Sequence, residues 1–297
     1  MSQAPPPAIC DYEGSGYEQD FWEGQGRAYE DRVERIALRK LLPGSGRRAL
    51  EIGAGFGRLT DELAGFDQVV LLDYSRSLLA RARQRLGDGR FTYVAADVYR
   101  LPFVPGSFDA ATMIRVIHHL ENVPTALRHI RQALAPNAAF VLEYANKRHL
   151  KAILRHLVGR QDWDPHSLEP VEFVRLNFDF HPQYMEAALG EAGFRVARRL
   201  PVSYFRLGAL KRLVPIGLLA ALDGWLQGWA PLYSPSVFTL NLATGVGPDH
   251  VDQPLRLRCP VCGGDLHEMD GALACATAGC GRRWGVREGI HDFKEPL

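Results

Sequence analysis

Three apolar runs in this chain end in residues suited to holding a nucleoside. The first, Ala49-Leu50-Glu51-Ile52, breaks into Gly53-Ala54-Gly55-Phe56-Gly57. Glycine allows the tight turn such a loop needs and lets a ligand lie against the backbone. No Gly-Lys-Ser/Thr ending follows, which argues against a triphosphate cradle. The second run, Val69-Val70-Leu71-Leu72, ends in Asp73-Tyr74. An acid there can accept both hydroxyls of a ribose and suits an adenosine without a 2'-phosphate. The third, Phe91 to Ala95, leads to Asp97-Val98, where a carboxylate can meet the exocyclic amine of an adenine. A nicotinamide-binding fold also places a glycine loop after its first strand, and stays the alternative at the level of fold.

Strands must position these residues. Strand candidates fall at 49–53, 68–72, 91–95, 109–114 and 138–143, with helices near 57–65, 75–86 and 123–134 between them. This alternation predicts an α/β fold, a parallel sheet covered on both faces. Ligands of such sheets lie beyond the carboxyl ends of the strands. Ser75 is placed to cap the helix after Asp73. A preceding helix, Tyr29 to Leu42, carries Val33, Ile36, Ala37 and Leu41 at helical spacing and stops at Pro43-Gly44. Tyr17, Trp22 and Tyr29 could pack that helix on the sheet. A proline-opened helix from Pro182 to Leu189 and strands near 195–200 and 237–243 bring the strands to seven.

Taken with Leu101-Pro102-Phe103 and Ser107-Phe108-Asp109, these motifs resemble the class I S-adenosylmethionine-dependent methyltransferases, specifically the type 11 group, over roughly residues 45 to 145. The resemblance implies a seven-stranded Rossmann-like sheet. It also implies that the loop of Gly53, Ala54, Gly55 and Gly57 holds the methionine part of the cofactor, that Asp73 holds its ribose and that Asp97 meets its adenine, with Glu51, Tyr74 and Val98 as further cofactor candidates. The preceding helix can, on the same resemblance, close over the cofactor through Tyr17, Trp22 or Tyr29. Asp109 is structural in that family. Where relatives have Pro-Gly-Gly, this chain has Pro136-Asn137-Ala138, which should alter a turn only. The segment Ile114-Arg115-Val116-Ile117-His118-His119-Leu120 resembles the family's post-strand motif, lining the cleft between cofactor and acceptor; Arg115 is therefore a cofactor candidate.

Histidine can take a proton near neutrality, so His118 and His119 are candidate bases, although they cannot point the same way and methyl transfer needs alignment more than a strong base. Tyr144, at the exit of the fifth strand beside Glu143 and Asn146, and His181, in an aromatic-rich stretch with Trp163, Phe178 and Asp179, complete the catalytic candidates. Two segments interrupt the alternation and read as lid insertions, about 146–181 and 203–233. The second is rich in leucine with Trp225 and Trp229, and has Arg206, Lys211 and Arg212 near its start. It can cap an acceptor pocket or lie in a membrane surface. Either role favours a greasy or bulky acceptor over a small polar one, and a small-molecule or lipid-like acceptor is the favoured expectation. The Asn/Asp-Pro-Pro-Tyr/Phe motif of amino-methylating enzymes is absent after the fourth strand, which lowers the standing of nucleic-acid bases.

The 297 residues are 46% apolar with a formal net charge of +1, which implies no diffuse polyanion-binding surface. Met1 to Gly16 does not read as a secretory signal, and the expected location is cytoplasmic. Residues 1–44 form an N-terminal tail and helix, 45–246 the sheet domain, and 255–297 a second domain after a linker rich in glycine and proline. There Cys259-x2-Cys262, twelve residues, then Cys275-x4-Cys280 supply four thiolates that can close tetrahedrally on a structural zinc ion. Paired disulfides would conflict with a reducing compartment. The stretch 257–266 and the ending 284–290 resemble the small zinc-ribbon activator that pairs with methyltransferases in translation, which implies docking on the catalytic domain and leaves tRNA or a translation protein as the alternative acceptor. The six acidic and six basic residues from 255 onward balance, unlike a nucleic-acid claw. A non-catalytic cofactor-binding scaffold is the remaining alternative.

Overall fold

The computed structural model describes residues 7–14 and 26–297; Tyr17 and Trp22 lie outside them. The first helix, α1 (Ala28–Leu41), buries Tyr29, Val33, Ala37, Leu38 and Leu41 and ends at extended Leu42, as a residue before proline must. The strands β1 (Gly46–Ile52), β2 (Phe66–Asp73), β3 (Phe91–Ala95), β4 (Phe108–Met113) and β5 (Leu134–Ala145) are parallel. They alternate with α2 (Arg76–Leu86) and α3 (Val123–Ala133). Beyond β5 come α4 (Leu150–Leu157), a hairpin of β6 (Val171–Val174) and β7 (Asn177–Asp179), α5 (Pro182–Glu191), β8 (Phe194–Val202), α6 (Gly208–Leu213), α7 (Ile216–Leu226) and β9 (Ser236–Ala243). The order β3-β2-β1-β4-β5-β9-β8 gives the seven expected strands, with β9 antiparallel to both neighbours.

Two local readings change. The helix expected over 57–65 is one tight turn, Thr60–Leu63, because Gly57 takes φ +79° and the chain must descend at once to Phe66. The fifth strand begins at Leu134 rather than 138, with Asn137 at φ +63°. Asparagine tolerates this left-handed conformation better than most side chains, so the altered turn survives. Asp109 accepts hydrogen bonds from the Arg47 and Arg48 backbone, a structural use.

The sheet does not stop at β3. The strands β10 (Leu266–Met269), β11 (Ala272–Cys275), β12 (Arg283–Arg287) and β13 (Ile290–Asp292) form an antiparallel meander whose last strand pairs in parallel with β3, Ile290 opposite Tyr93 and Asp292 opposite Ala95. The pairing covers an edge that would otherwise present unpaired backbone groups. Trp284 and Phe293 join the buried cluster containing Val94 and Phe103. The stretch expected as a linker is itself held down. Buried Arg48 donates to the Gln253 carbonyl at 2.6 Å, and Pro248 lies so close to Gly106 that an added Cβ there would sit 2.0 Å from its oxygen.

Candidate functional site

The carboxyl ends of β1, β2, β3 and β4 open into one cavity, whose lining includes Gly53, Gly55, Asp73, Tyr74, Asp97 and Val98. Its opposite wall is formed by Ile114 to Val116, His119, Leu120 and, from the N-terminal segment, Ile9, Cys10 and Tyr12. A second, adjoining hollow is bounded by Glu51, Ala54, Phe56, Arg58 and Arg115. Gly53 sits at φ +70° and a Cβ on it would lie 2.0 Å from Val116 Cγ2. Gly55, at φ +54°, has nothing within 4 Å of such a Cβ. The loop therefore presents bare backbone to open space, the geometry a close ligand needs. Gly57 adds no lining and serves the turn, its Cβ position crowded by Leu86 at 3.0 Å.

Asp73 fixes the loop. Its Oδ2 accepts from Gly55 N at 2.7 Å and its Oδ1 from Ser75 N at 2.8 Å, while Ser75 Oγ caps α2 through Leu78 N. Burial pushes the Asp73 carboxyl up to about 6 despite these donors. Asp97 accepts from Tyr99 N at 2.8 Å and is nearly buried. Glu51 is buried, accepts from Thr60 Oγ1 at 2.6 Å, and is raised by burial to about 7.

Sequence reasoning overlooked Glu34 and Arg58. Glu34 comes from α1, is 1% exposed, and joins Arg58 at 2.6 Å and Arg115 at 2.5 Å. Burial alone would raise its carboxyl, but the two guanidinium groups hold it at about 2. This pair of ion contacts ties α1 to the hollow beside the glycine loop. Arg115 itself has φ +60°, and its backbone N–H donates to Glu143 Oε2 at 2.9 Å. The signal in sequence was a pair of glutamates, Glu30 and Glu34, on the buried face of an amphipathic helix.

His119 lines the cavity. Its Nδ1 lies 2.8 Å from the Leu176 carbonyl on the hairpin turn, so Nδ1 carries the hydrogen and the lone pair is on Nε2, 3.4 Å from the Tyr12 hydroxyl. Burial lowers its pKa and keeps the ring neutral. His118 is turned away from the cavity lining, 4.1 Å from the His119 ring centre. Its pKa is well below the ordinary value because of burial, and its Nδ1 has no partner among the described residues. The other two catalytic candidates are not among the residues that line the cavity. Tyr144 is 1% exposed within the core, and His181 caps α5 by accepting from Gln183 N at 3.2 Å. Tyr29 packs rather than covers: it is fully buried and donates to Asp223 on α7 at 2.6 Å.

The four ribbon cysteines bring their sulfurs within 4.8 Å of one another. The Cys259–Cys280 and Cys262–Cys275 separations, 3.9 and 3.4 Å, are far too long for a disulfide and fit the edges of a thiolate tetrahedron around zinc. Gly264 is required beneath it, since a Cβ would lie 1.9 Å from Thr277 Oγ1.

Residues 50–142 match a family model described as a methyltransferase domain. Among characterised proteins, an O-methyltransferase of Penicillium expansum is 31% identical over 146 residues, 46% of this chain and 53% of that one. The 2-phytyl-1,4-naphtoquinone methyltransferase of Nostoc punctiforme is 25% identical over 63% of this chain and 87% of its own length. The chain thus spans about half the length of the first of these relatives, 53%. Among solved structures, a complex of a Haloferax volcanii methyltransferase activator with a methyltransferase aligns with a TM-score of 0.54 and 16% identity, over 80% of this chain and 100% of the matched one. That likeness is one of fold. No helix among the described residues is long and apolar enough to cross a membrane.

Proposed function

We propose that this protein transfers a methyl group from S-adenosylmethionine to a small or lipid-like acceptor. The observation that carries the reading is the convergence of Gly53, Gly55, Asp73 and Asp97 on one cavity at the carboxyl ends of β1 to β4. The match of residues 50–142 to a methyltransferase domain supports it, as do relatives whose named acceptors include a phytyl-naphthoquinone.

Bound S-adenosylmethionine supplies an electrophilic methyl on a sulfonium that loses its charge on transfer. Asp73 would take the ribose hydroxyls with the lone pairs its two backbone donors leave over. Asp97 and Val98 would face the adenine, Tyr74 would flank the ribose, and the glycine loop with Glu51, Ala54 and Arg115 would border the methionine end. His119 would accept the proton of an acceptor O–H or N–H group at Nε2, since the Leu176 carbonyl fixes the hydrogen on Nδ1. Alignment by the cleft supplies most of the rate.

In this reading the C-terminal segment is a zinc ribbon of the activator kind, carried on the same chain and docked on the sheet. Support comes from the β13–β3 pairing and from Phe293 N donating to the Ala95 carbonyl at 2.7 Å, immediately before the loop that carries Asp97. Four thiolates leave no open coordination position, so zinc would act on folding.

Calorimetry with S-adenosylhomocysteine and with NAD tests the cofactor: binding of NAD alone would overturn the reading. Methyl-labelled S-adenosylmethionine, given with the purified protein to a cell extract split into organic, RNA and protein fractions, tests the acceptor. Label in the organic phase is expected; label confined to RNA or protein would replace the small acceptor by a macromolecule.

A further inference from the structure

An open cavity of about 850 Å³ lies between α4 and the segment leading into α6 and shares no lining residue with the cofactor groove. Four cations border it, Lys151, Arg155, Arg160 and Arg206, and no acid does. None of the four forms an ion pair among the described residues. Its apolar wall is Leu150, Leu154, Val158 and Leu207, each more than half exposed at 54, 53, 66 and 67%. A solvated basic helix would not place four large apolar side chains in water beside its charges, because each exposed apolar surface forfeits burial energy.

Arg206 is the informative member. Its Nη2 donates to Ser236 Oγ at 2.8 Å, yet its buried Nε has no partner, and burial, then the charge of Arg115, depress its pKa. A buried donor left unmade is costly, and on a guanidinium the natural complement is an anion held by paired hydrogen bonds. Arg206 also connects the two sites: Ser236 Oγ donates to Glu143 Oε1 at 2.7 Å, and Glu143 Oε2 accepts from Arg115 N at 2.9 Å. Arg115 lines the cofactor groove.

Resting on the methyltransferase reading, we propose that this cavity is the acceptor site and that the acceptor is an anionic amphiphile. Its carboxylate or phosphate pairs with Arg206, Arg155 and Arg160, and its hydrocarbon lies along Leu150, Leu154, Val158 and Leu207. Arg206 is a binding residue in this scheme, and the chain Arg206–Ser236–Glu143–Arg115 sets the acceptor in register with the groove.

The test measures binding of dansyl-undecanoic acid, of its uncharged amide and of acetate to the full chain, by fluorescence and by competition, with S-adenosylhomocysteine titrated separately. The acid should bind at least about tenfold more tightly than the amide, and acetate should not compete at comparable concentration. Arg206→Gln should erase the preference for the acid while leaving S-adenosylhomocysteine affinity within about twofold. Arg206 is partly buried, so Arg160→Ala and Leu154→Asp, both at exposed positions, provide variants that keep the fold. The first should reduce the acid preference and the second should weaken acid and amide alike. Equal binding of acid and amide by the native protein, or an unchanged preference in both Arg206→Gln and Arg160→Ala, overturns the proposal. Failure of S-adenosylhomocysteine to bind would overturn the cofactor reading instead, whatever the amphiphile does.

Discussion

The two sides of this molecule meet their polar groups in opposite ways. On the proposed cofactor side each acid is answered by the chain: Asp73 by Gly55 and Ser75, Asp97 by Tyr99, Glu51 by Thr60, Glu34 by Arg58 and Arg115. On the proposed acceptor side Arg206 Nε is buried with no partner among the described residues, and α4 turns leucines outward. Each unanswered buried donor costs about 1–3 kcal/mol. A fold carries such costs where a ligand supplies the missing partners, so the difference separates a site organised before binding from one completed by binding.

The largest effect should come from Glu34→Ala. Removing the acid between two guanidinium groups breaks a buried ion-paired cluster, a loss of about 3–5 kcal/mol, read as a lower urea midpoint. The sign with pH follows from its depressed carboxyl. Its contribution is present above the ordinary value of 4.5 and is lost as pH falls toward about 2. An unchanged midpoint in the variant would show that the cofactor side is not held together by this cluster. Next in size is Asp73→Ala, expected to weaken S-adenosylhomocysteine binding by about a hundredfold, ~3 kcal/mol, with the acid-over-amide preference retained. Near-normal affinity by calorimetry would sink the assignment. Because burial raises Asp73 to about 6, the pH dependence has the other sign. The unliganded protein loses this group's stability as pH rises through 6, and cofactor affinity rises over the same interval as the carboxylate becomes able to accept two hydroxyls.

Legibility in sequence divided along the same line. Glycine loop, Asp73 and Asp97 could be read because each is a short-range consequence of a strand ending in a turn. The cysteine spacing likewise announced a metal-sized cluster. Glu34 escaped because its partners stand 24 and 81 residues away, and a charge on an amphipathic helix is ordinarily solvated. Tyr144 sits in the buried cluster and outside the cavity lining: a strand's exit brings residues to the ligand end, but alternation sends successive side chains to opposite faces. The pairing of β13 with β3 was also out of reach, since edge pairing depends on backbone groups that any sequence carries.

A smaller effect, and one confined to rate, is expected for His119→Gln. Loss of the Nε2 acceptor should lower kcat by about a hundredfold, the lower end for a general base, and leave cofactor affinity within about twofold. His118→Gln should act less on rate, since His118 does not line the cavity. Equal losses in both variants would mean that the histidines serve only to seat the loop against Leu176, and the contrast between a prepared and an unfinished side would no longer turn on this residue.

The smallest effect should come from Trp225→Ser with Trp229→Ser. These side chains are 62 and 61% exposed, their rings edge to face at 4.7 Å, so their removal should cost no more than about 1 kcal/mol of stability. They stand outside the lining of the basic cavity, and the preference for the acid probe should be untouched. Apolar exposure alone would then be insufficient for acceptor binding; what distinguishes α4 is that its leucines share a cavity with unpaired cations. Were the double variant to abolish amphiphile binding as completely as Leu154→Asp, the apolar surface would have to be treated as one continuous face running onto α7, and the anion at Arg206 would cease to be what defines the site.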